Sequence, residues 1–225
     1  CLLQNEHGNK LLEEAKLCAL ESGFPAYGLK AHRGFWRFLT LRYSRADDNW
    51  MVNIITSEED SRALDRFLDA VKEAGRVKTV VNSITTRRSS VAVGESRKIL
   101  TGEGFLIDRI GPFLFRISPD SFFQTNPPAA EMLYRVVEKY AELDGGTDVL
   151  DLYSGTGTIP VFLSRKAASV TGIEMNRDAV DDAVRNCSMN DVDNCRFLCG
   201  DTGELLAGLG ARPDVVVIDP PRAGA

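Results

Sequence analysis

Apolar side chains recur at helical spacing from Asn9 to Ser22, at Leu11, Leu12, Ala15, Leu17, Ala19 and Leu20. This predicts an amphipathic first helix. The pattern then shortens. Phe35 to Tyr43 and Trp50 to Thr56 read as strands, with Arg45 to Asn49 as the polar turn between them. Glu59 to Ala74 is a second predicted helix, ended by Gly75. Val77 to Thr86, Ser89 to Val93, Phe105 to Ile110 and Pro112 to Ile117 are further predicted strands. Residues 1–118 therefore read as an α+β central domain.

From residue 119 to 225 helix and strand patterns alternate. Asn126 caps a helix with Pro127 at its first position, where a missing N–H costs nothing. Met132, Leu133, Val136, Val137 and Tyr140 are its expected inward stripe. Four strands follow: Asp148 to Tyr153, Ser169 to Glu174, Cys195 to Cys199 and Asp214 to Asp219. Helical stretches at Thr158 to Lys166 and Arg177 to Met189 separate the first three, the second with Ala179, Val180, Ala183, Val184 and Cys187 inward. Such alternation implies α/β architecture with a parallel, Rossmann-like sheet.

Composition narrows the class. The 225 residues are 44% hydrophobic and 26% charged, ordinary for a globular protein. No apolar run approaches the ~20 residues needed to cross a bilayer, so no membrane partner is expected. The chain starts at Cys1, without a methionine and without a basic-then-apolar leader, and reads as an excised piece. Five irregularly spaced cysteines and two histidines argue against a disulfide framework and for a reducing, cytoplasmic setting. The net charge of −5 gives no whole-surface attraction to nucleic acid, so any such contact must be local.

The stretch richest in chemistry is Asp151-Leu-Tyr-Ser-Gly-Thr-Gly-Thr158, between a predicted strand and a predicted helix. Gly155 and Gly157 allow a tight turn and close approach of a ligand to the backbone. The next strand ends at Glu174, 19 residues after Gly155, where a carboxylate can accept hydrogen bonds from two ribose hydroxyls. A plain βα turn with a surface glutamate is the structural alternative. The third glycine of a dinucleotide fingerprint is replaced by Pro160, and a Gly-Lys-Ser/Thr phosphate loop is absent. S-adenosylmethionine, which has a ribose and adenine but no pyrophosphate, fits better. The fourth strand runs into Asp219-Pro-Pro-Arg222, a stiff acidic loop at the carboxyl edge of the sheet, where open α/β sheets bind ligands.

Three segments resemble the RNA 5-methyluridine methyltransferases, which act on uridine in ribosomal or transfer RNA. They are Ser121-Phe-Phe-Gln-Thr-Asn126-Pro, Asp151 to Gly157 with Gly172-Ile-Glu174, and Asp219-Pro-Pro-Arg-Ala-Gly224. The resemblance implies cofactor contacts from Gln124, Tyr153, Gly155, Gly157, Glu174, Asp201 and Asp219. Asp201 would approach the adenine, and Asp219 would sit between methyl donor and base. In that family a cysteine in a Ser-Cys-Asn-Pro segment attacks uracil C6 and a later glutamate removes the C5 proton. Both would lie past Ala225, so no catalytic residue is assigned in this chain and the piece itself is expected to be inactive. The thiolate matters because uracil C5 becomes nucleophilic only after addition at C6. Cys1 resembles the last of four cysteines that hold an iron–sulfur cluster in one branch of the family. One cysteine cannot hold a cluster, so a cluster belongs only to a full-length protein and no metal is assigned here.

Arg33, Arg37, Arg42 and Arg45 interleave with Phe35, Trp36, Phe38 and Tyr43, and Arg87, Arg88, Arg97 and Lys98 form a second basic group. These residue types suit phosphate contact and base stacking, although the aromatics also suit a sheet core. Two other readings stand beside uridine methylation. One is methylation of an exocyclic base amine, whose Asp/Asn-Pro-Pro loops usually continue with an aromatic residue where this chain has Arg222. The other is a non-catalytic RNA-binding module that keeps the fold.

Overall fold

The computed structural model describes residues 2, 4–88, 90–210 and 212–220. The chain forms two compact units, residues 1–106 and 107–225. The first contains α1 (Glu6–Glu21), β1 (Trp36–Ser44), β2 (Asn49–Thr56), α2 (Ser61–Glu73), β3 (Val77–Ile84) and β4 (Ser96–Thr101). Its sheet runs β1-β2-β3-β4, with β2 and β3 parallel and the outer pairs antiparallel. Asp60 starts α2 by accepting a 2.8 Å hydrogen bond from the Ala63 amide. Ala63, Leu64, Phe67 and Val71 then fall on one buried face and meet Leu11 and Ala15 of α1 over Trp36, Trp50 and Val52. Of the apolar positions of α1, Leu12, Leu17 and Leu20 are exposed.

The strand expected at 89–93 does not form. Residues 90–93 are irregular, with Val91 and Val93 exposed, and Ser89 lies outside the described residues. The alternating valines have no neighbouring strand, since pairing with β3 begins only where the Glu95 amide meets the Ile84 carbonyl at 2.7 Å. The true partner, β4, is not foreshadowed by the apolar pattern because it is an edge strand whose Ser96, Arg97, Lys98 and Ile99 are exposed. Charged edges of this kind discourage pairing with other chains.

The second unit contains β5 (Leu106–Ile110), β6 (Phe113–Ile117), α3 (Pro127–Ala141), β7 (Asp148–Leu152), α4 (Thr158–Leu163), β8 (Ser169–Glu174), α5 (Arg177–Met189), β9 (Cys195–Cys199), α6 (Thr202–Gly208) and β10 (Val215–Ile218). The sequence pattern groups the β5–β6 hairpin with the first region and puts the boundary near 118. Instead β6 packs on α5, with the Leu114 and Arg116 amides donating to Asn190 and Asn186, and the units divide at 106/107.

Four parallel strands run in the order β10-β7-β8-β9. Val149, Val170, Val215 and Val217 face the cluster built with α3, α4 and α5, while Leu150, Leu152 and Ile173 meet Leu205 and Leu209 on the other face. Helix α6, unpredicted, is short and has no buried residue. The expected face of α3 is corrected. Met132 (71% exposed), Leu133, Val136 and Tyr140 (82%) point outward, and Ala130 and Tyr134 point inward beside Val137. Tyr134 is on the buried face, its hydroxyl 2.8 Å from Thr158 Oγ1.

Candidate cofactor site

The site sits at the carboxyl ends of the parallel strands. After β7 the chain turns through Tyr153 at φ +65°, Gly155 at +54° and Gly157 at +76°. The Ser154 amide donates to the Ile173 carbonyl and the Gly157 amide to the Ser154 carbonyl, both at 2.9 Å. Gly157 is needed twice over: its φ is left-handed, and a Cβ there would come within 2.9 Å of Ala183 Cβ and Phe197 Cζ. Gly155 is different. Nothing lies within 4 Å of a Cβ built on it, so the loop opens onto free space at that point.

Glu174 ends β8 and is oriented by backbone. Its Oε2 accepts from the Gly155 amide at 3.0 Å and its Oε1 from the Asn176 amide at 2.7 Å. Each carboxylate oxygen keeps a further lone pair for a ligand hydroxyl. Tyr153 is half-buried and packs against the Leu150, Leu152 and Ile173 cluster. Asp219 follows β10 and is exposed. Asp201 is also exposed and caps α6, its Oδ1 accepting from the Glu204 amide at 3.1 Å. Glu174, Asp201 and Asp219 thus stand after three strands of one sheet, with Asp151 inside the fourth. Asp201 is already engaged as a cap. Pro221, Arg222, Ala223 and Gly224 lie outside the described residues, as does Cys1.

The segment that carries Gln124 is held by a separate anchor. Asp182 of α5 is fully buried and accepts from Arg116 Nε (3.2 Å), the Ser118 amide (3.1 Å), Ser118 Oγ (2.9 Å) and Ser121 Oγ (2.8 Å). That pins the segment leading into α3. Tyr134, whose hydroxyl lies 2.8 Å from Thr158 Oγ1, has its pKa pushed up to about 12 by burial.

Asp151 is a candidate site residue that sequence reasoning missed. It is 1% exposed, and neither carboxylate oxygen has a hydrogen-bond partner. Burial, then repulsion from Asp219 and Glu174, raises its carboxyl well above the usual range. Ser154 Oγ and Thr156 Oγ1 in the same loop are likewise buried and unpartnered. Buried polar groups are almost always satisfied, so orphans gathered at one loop call for a ligand. Asp182 makes the contrast: it is an equally buried carboxylate, but protein donors satisfy it. The available signal was a carboxylate between Leu150 and Leu152, inside the apolar part of the strand.

The residues fit S-adenosylmethionine. Glu174 suits ribose hydroxyls, Gly155 leaves room for the ligand, and Asp151 is a buried acceptor for a cationic amino group.

The chain is similar to several known proteins. A family model described as conserved hypothetical protein 95 matches residues 128–224. A protein of Chlorobaculum tepidum named as an uncharacterized RNA methyltransferase is 39% identical over 232 residues, covering 100% of this chain and 48% of its own length. One of the same name from Halalkalibacterium halodurans is 35% identical over 228 residues, covering 100% of this chain and 50% of its own. The crystal structure of Pyrococcus abyssi tRNA (uracil-54, C5)-methyltransferase in complex with S-adenosyl-L-homocysteine superposes with a TM-score of 0.74 at 30% identity. It covers 98% of this chain and 52% of that one. The chain therefore has the α/β fold of a methyltransferase, and it spans about half the length of the curated relatives it matches.

Proposed function

We propose that this chain carries the cofactor-binding part of an S-adenosylmethionine-dependent RNA methyltransferase that acts on C5 of a uridine. The carrying observation is the Glu174 carboxylate, fixed by the Gly155 amide beside a buried Asp151 that has no protein partner. The cofactor supplies a methyl group on a positively charged sulfur. In this reading Glu174 accepts from the ribose and Asp151 receives the amino group. Gln124, in the segment before α3, lines the donor side, and Asp219 stands at the rim where a base would enter. Tyr153 and Asp201 complete the ribose and adenine side. The relatives' names support RNA as substrate, and the Pyrococcus protein's title supports C5 of uracil.

The described cysteines are poor candidates for the thiolate that activates C5. Cys187 is buried in the core. The Cys195 thiol is raised by its hydrogen bond with Cys187 and by burial, and Cys18 is raised by burial. Exposed Cys199 ends β9 at the far edge of the sheet, with β7 and β8 between it and the strand that leads to Asp219. The reading therefore assigns the nucleophile and the general base to residues outside this chain.

Calorimetric titration of S-adenosylhomocysteine into the folded chain tests the cofactor assignment; saturable binding is expected. The base assignment is tested on a chain of the relatives' full length, incubated with unmodified RNA that is then digested to nucleosides for mass spectrometry. 5-Methyluridine is expected, and a methylated exocyclic amine instead would overturn the C5 reading. Methyluridine made by residues 1–225 alone would overturn the placement of the catalytic groups.

A further inference from the structure

The two basic groups of the first unit, fifty residues apart in sequence, meet at one cleft of about 510 Å3. One wall is the segment before β1. Tyr27 N donates to the Trp36 carbonyl at 2.8 Å, Gly28 N to the Arg33 carbonyl at 2.9 Å and Phe35 N to the Pro25 carbonyl at 2.8 Å, which folds residues 25–36 back on themselves. Gly34 permits this: its φ is +126°, and a Cβ there would lie 2.4 Å from the Ala26 carbonyl oxygen. The other wall is the connection after β3. Glu95 braces it, accepting from the Thr86 amide (2.7 Å), Thr86 Oγ1 (3.0 Å) and Arg87 Nε (3.2 Å).

Arg37 joins the walls. Its guanidinium donates to the Thr85 carbonyl at 2.8 Å and the Arg87 carbonyl at 2.7 Å, and it lies 3.9 Å from the centroid of the Tyr27 ring. Arg37 is thereby committed to holding Tyr27 and the loop. Arg33 and Arg88 line the same cleft and are exposed, and among the described residues neither side chain makes an ion pair. Among the described residues Glu58 is the one carboxylate on the lining.

An aromatic ring backed by a guanidinium, with two uncommitted arginines beside it, matches a flat base attached to a phosphate. A duplex cannot insert a stacked base into such a cleft, whereas a loop or single strand can. An acidic peptide would use the arginines and leave the aromatic platform without a role. With a net charge of −5, attraction must be local, and this cleft provides it. We infer that the cleft binds one unpaired nucleotide of an RNA substrate, its base against Tyr27 and its phosphate at Arg33 and Arg88. This rests on the RNA reading above and adds a docking site remote in sequence from the cofactor loop.

The test is fluorescence anisotropy of a labelled single-stranded oligouridylate with the full 225-residue chain, across a salt series. Circular dichroism confirms that each variant is folded. Tyr27→Leu should weaken binding roughly 5- to 150-fold, the range for removal of one base–aromatic stack. Arg33→Gln with Arg88→Gln, both at exposed positions, should flatten the slope of log K against log salt by roughly 0.7 for each phosphate no longer neutralised. A 4-thiouridine oligonucleotide should crosslink within residues 24–37. Several results would sink the proposal: unchanged affinity and slope in the folded arginine variant, equal binding to duplex RNA, preference for polyglutamate, or no binding by the wild type. S-adenosylhomocysteine titration of the wild-type chain is read separately. Its failure with RNA binding intact would count against the cofactor reading and leave the cleft standing.

Discussion

Glu174 Oε2 accepts a hydrogen bond from the Gly155 amide at 3.0 Å, so the loop after one parallel strand fixes the carboxylate at the end of the next. Removing the carboxylate takes away the group that orients the loop and, on the proposed reading, the ribose acceptor. Glu174→Ala should weaken S-adenosylhomocysteine by about 1.5–3 kcal/mol, roughly tenfold to a hundredfold or more, as expected for hydrogen bonds to a charged group. Calorimetry on a folded variant decides it, and an unchanged Kd would remove Glu174 from the site.

Asp151 makes stability and affinity respond oppositely to one substitution. Its folded-state pKa is raised above the unfolded value, so its contribution to stability is complete below the ordinary carboxylate range. That contribution is lost as pH rises through the raised value. Without ligand, Asp151→Asn should therefore melt higher than the parent at neutral pH, and the gap should close toward pH 4. The same substitution should weaken the cofactor by about 2–5 kcal/mol, because a buried ion pair loses its anion. Parallel melting curves over pH, with and without S-adenosylhomocysteine, test both halves. A variant that binds as well as the parent would show that Asp151 receives no cation.

Asp182 should behave in the reverse way. Asp182→Ala orphans Ser118, Ser121 and the partly buried Arg116, and should cost about 3–5 kcal/mol of stability. Denaturant unfolding measures this. A loss under ~1 kcal/mol would mean that the anchor holding the segment before Gln124 is dispensable.

The orientation of α3 can be tested by a pair of substitutions. Met132→Lys, on the outward face, should change stability by no more than about 0.5 kcal/mol. Ala130→Leu, on the inward face, should cost about 1–3 kcal/mol by overpacking. Reversed magnitudes would restore the face that the apolar pattern suggested.

Much of the second unit was legible in the chain itself. Strand boundaries, the glycine turn and the 19-residue interval to Glu174 depend on local propensities and short connections, which sequence encodes directly. Asp219 and Glu174 were placed correctly at strand ends because a parallel sheet gathers those ends on one edge. Edge strand β4 and helix α6 were not legible. Each is mostly solvated, and a solvated element carries no apolar periodicity.

What only tertiary structure decided is which polar groups are satisfied and which apolar ones are covered. Local sequence makes α3 a helix, but the face it buries is the one that meets the core, where Ala130, Tyr134 and Val137 pack and the Tyr134 hydroxyl lies 2.8 Å from Thr158 Oγ1. Asp151 and Asp182 are the same residue type and both are buried, and nothing local separates them. One has four donors brought from β6 and the segment before α3, and the other has none. Arg37 likewise belongs to the first basic group in sequence but is consumed in space by carbonyls near the second. Propensity acts over a few residues. Desolvation and hydrogen-bond satisfaction depend on partners about sixty residues away in the chain, and those are settled only when the chain folds.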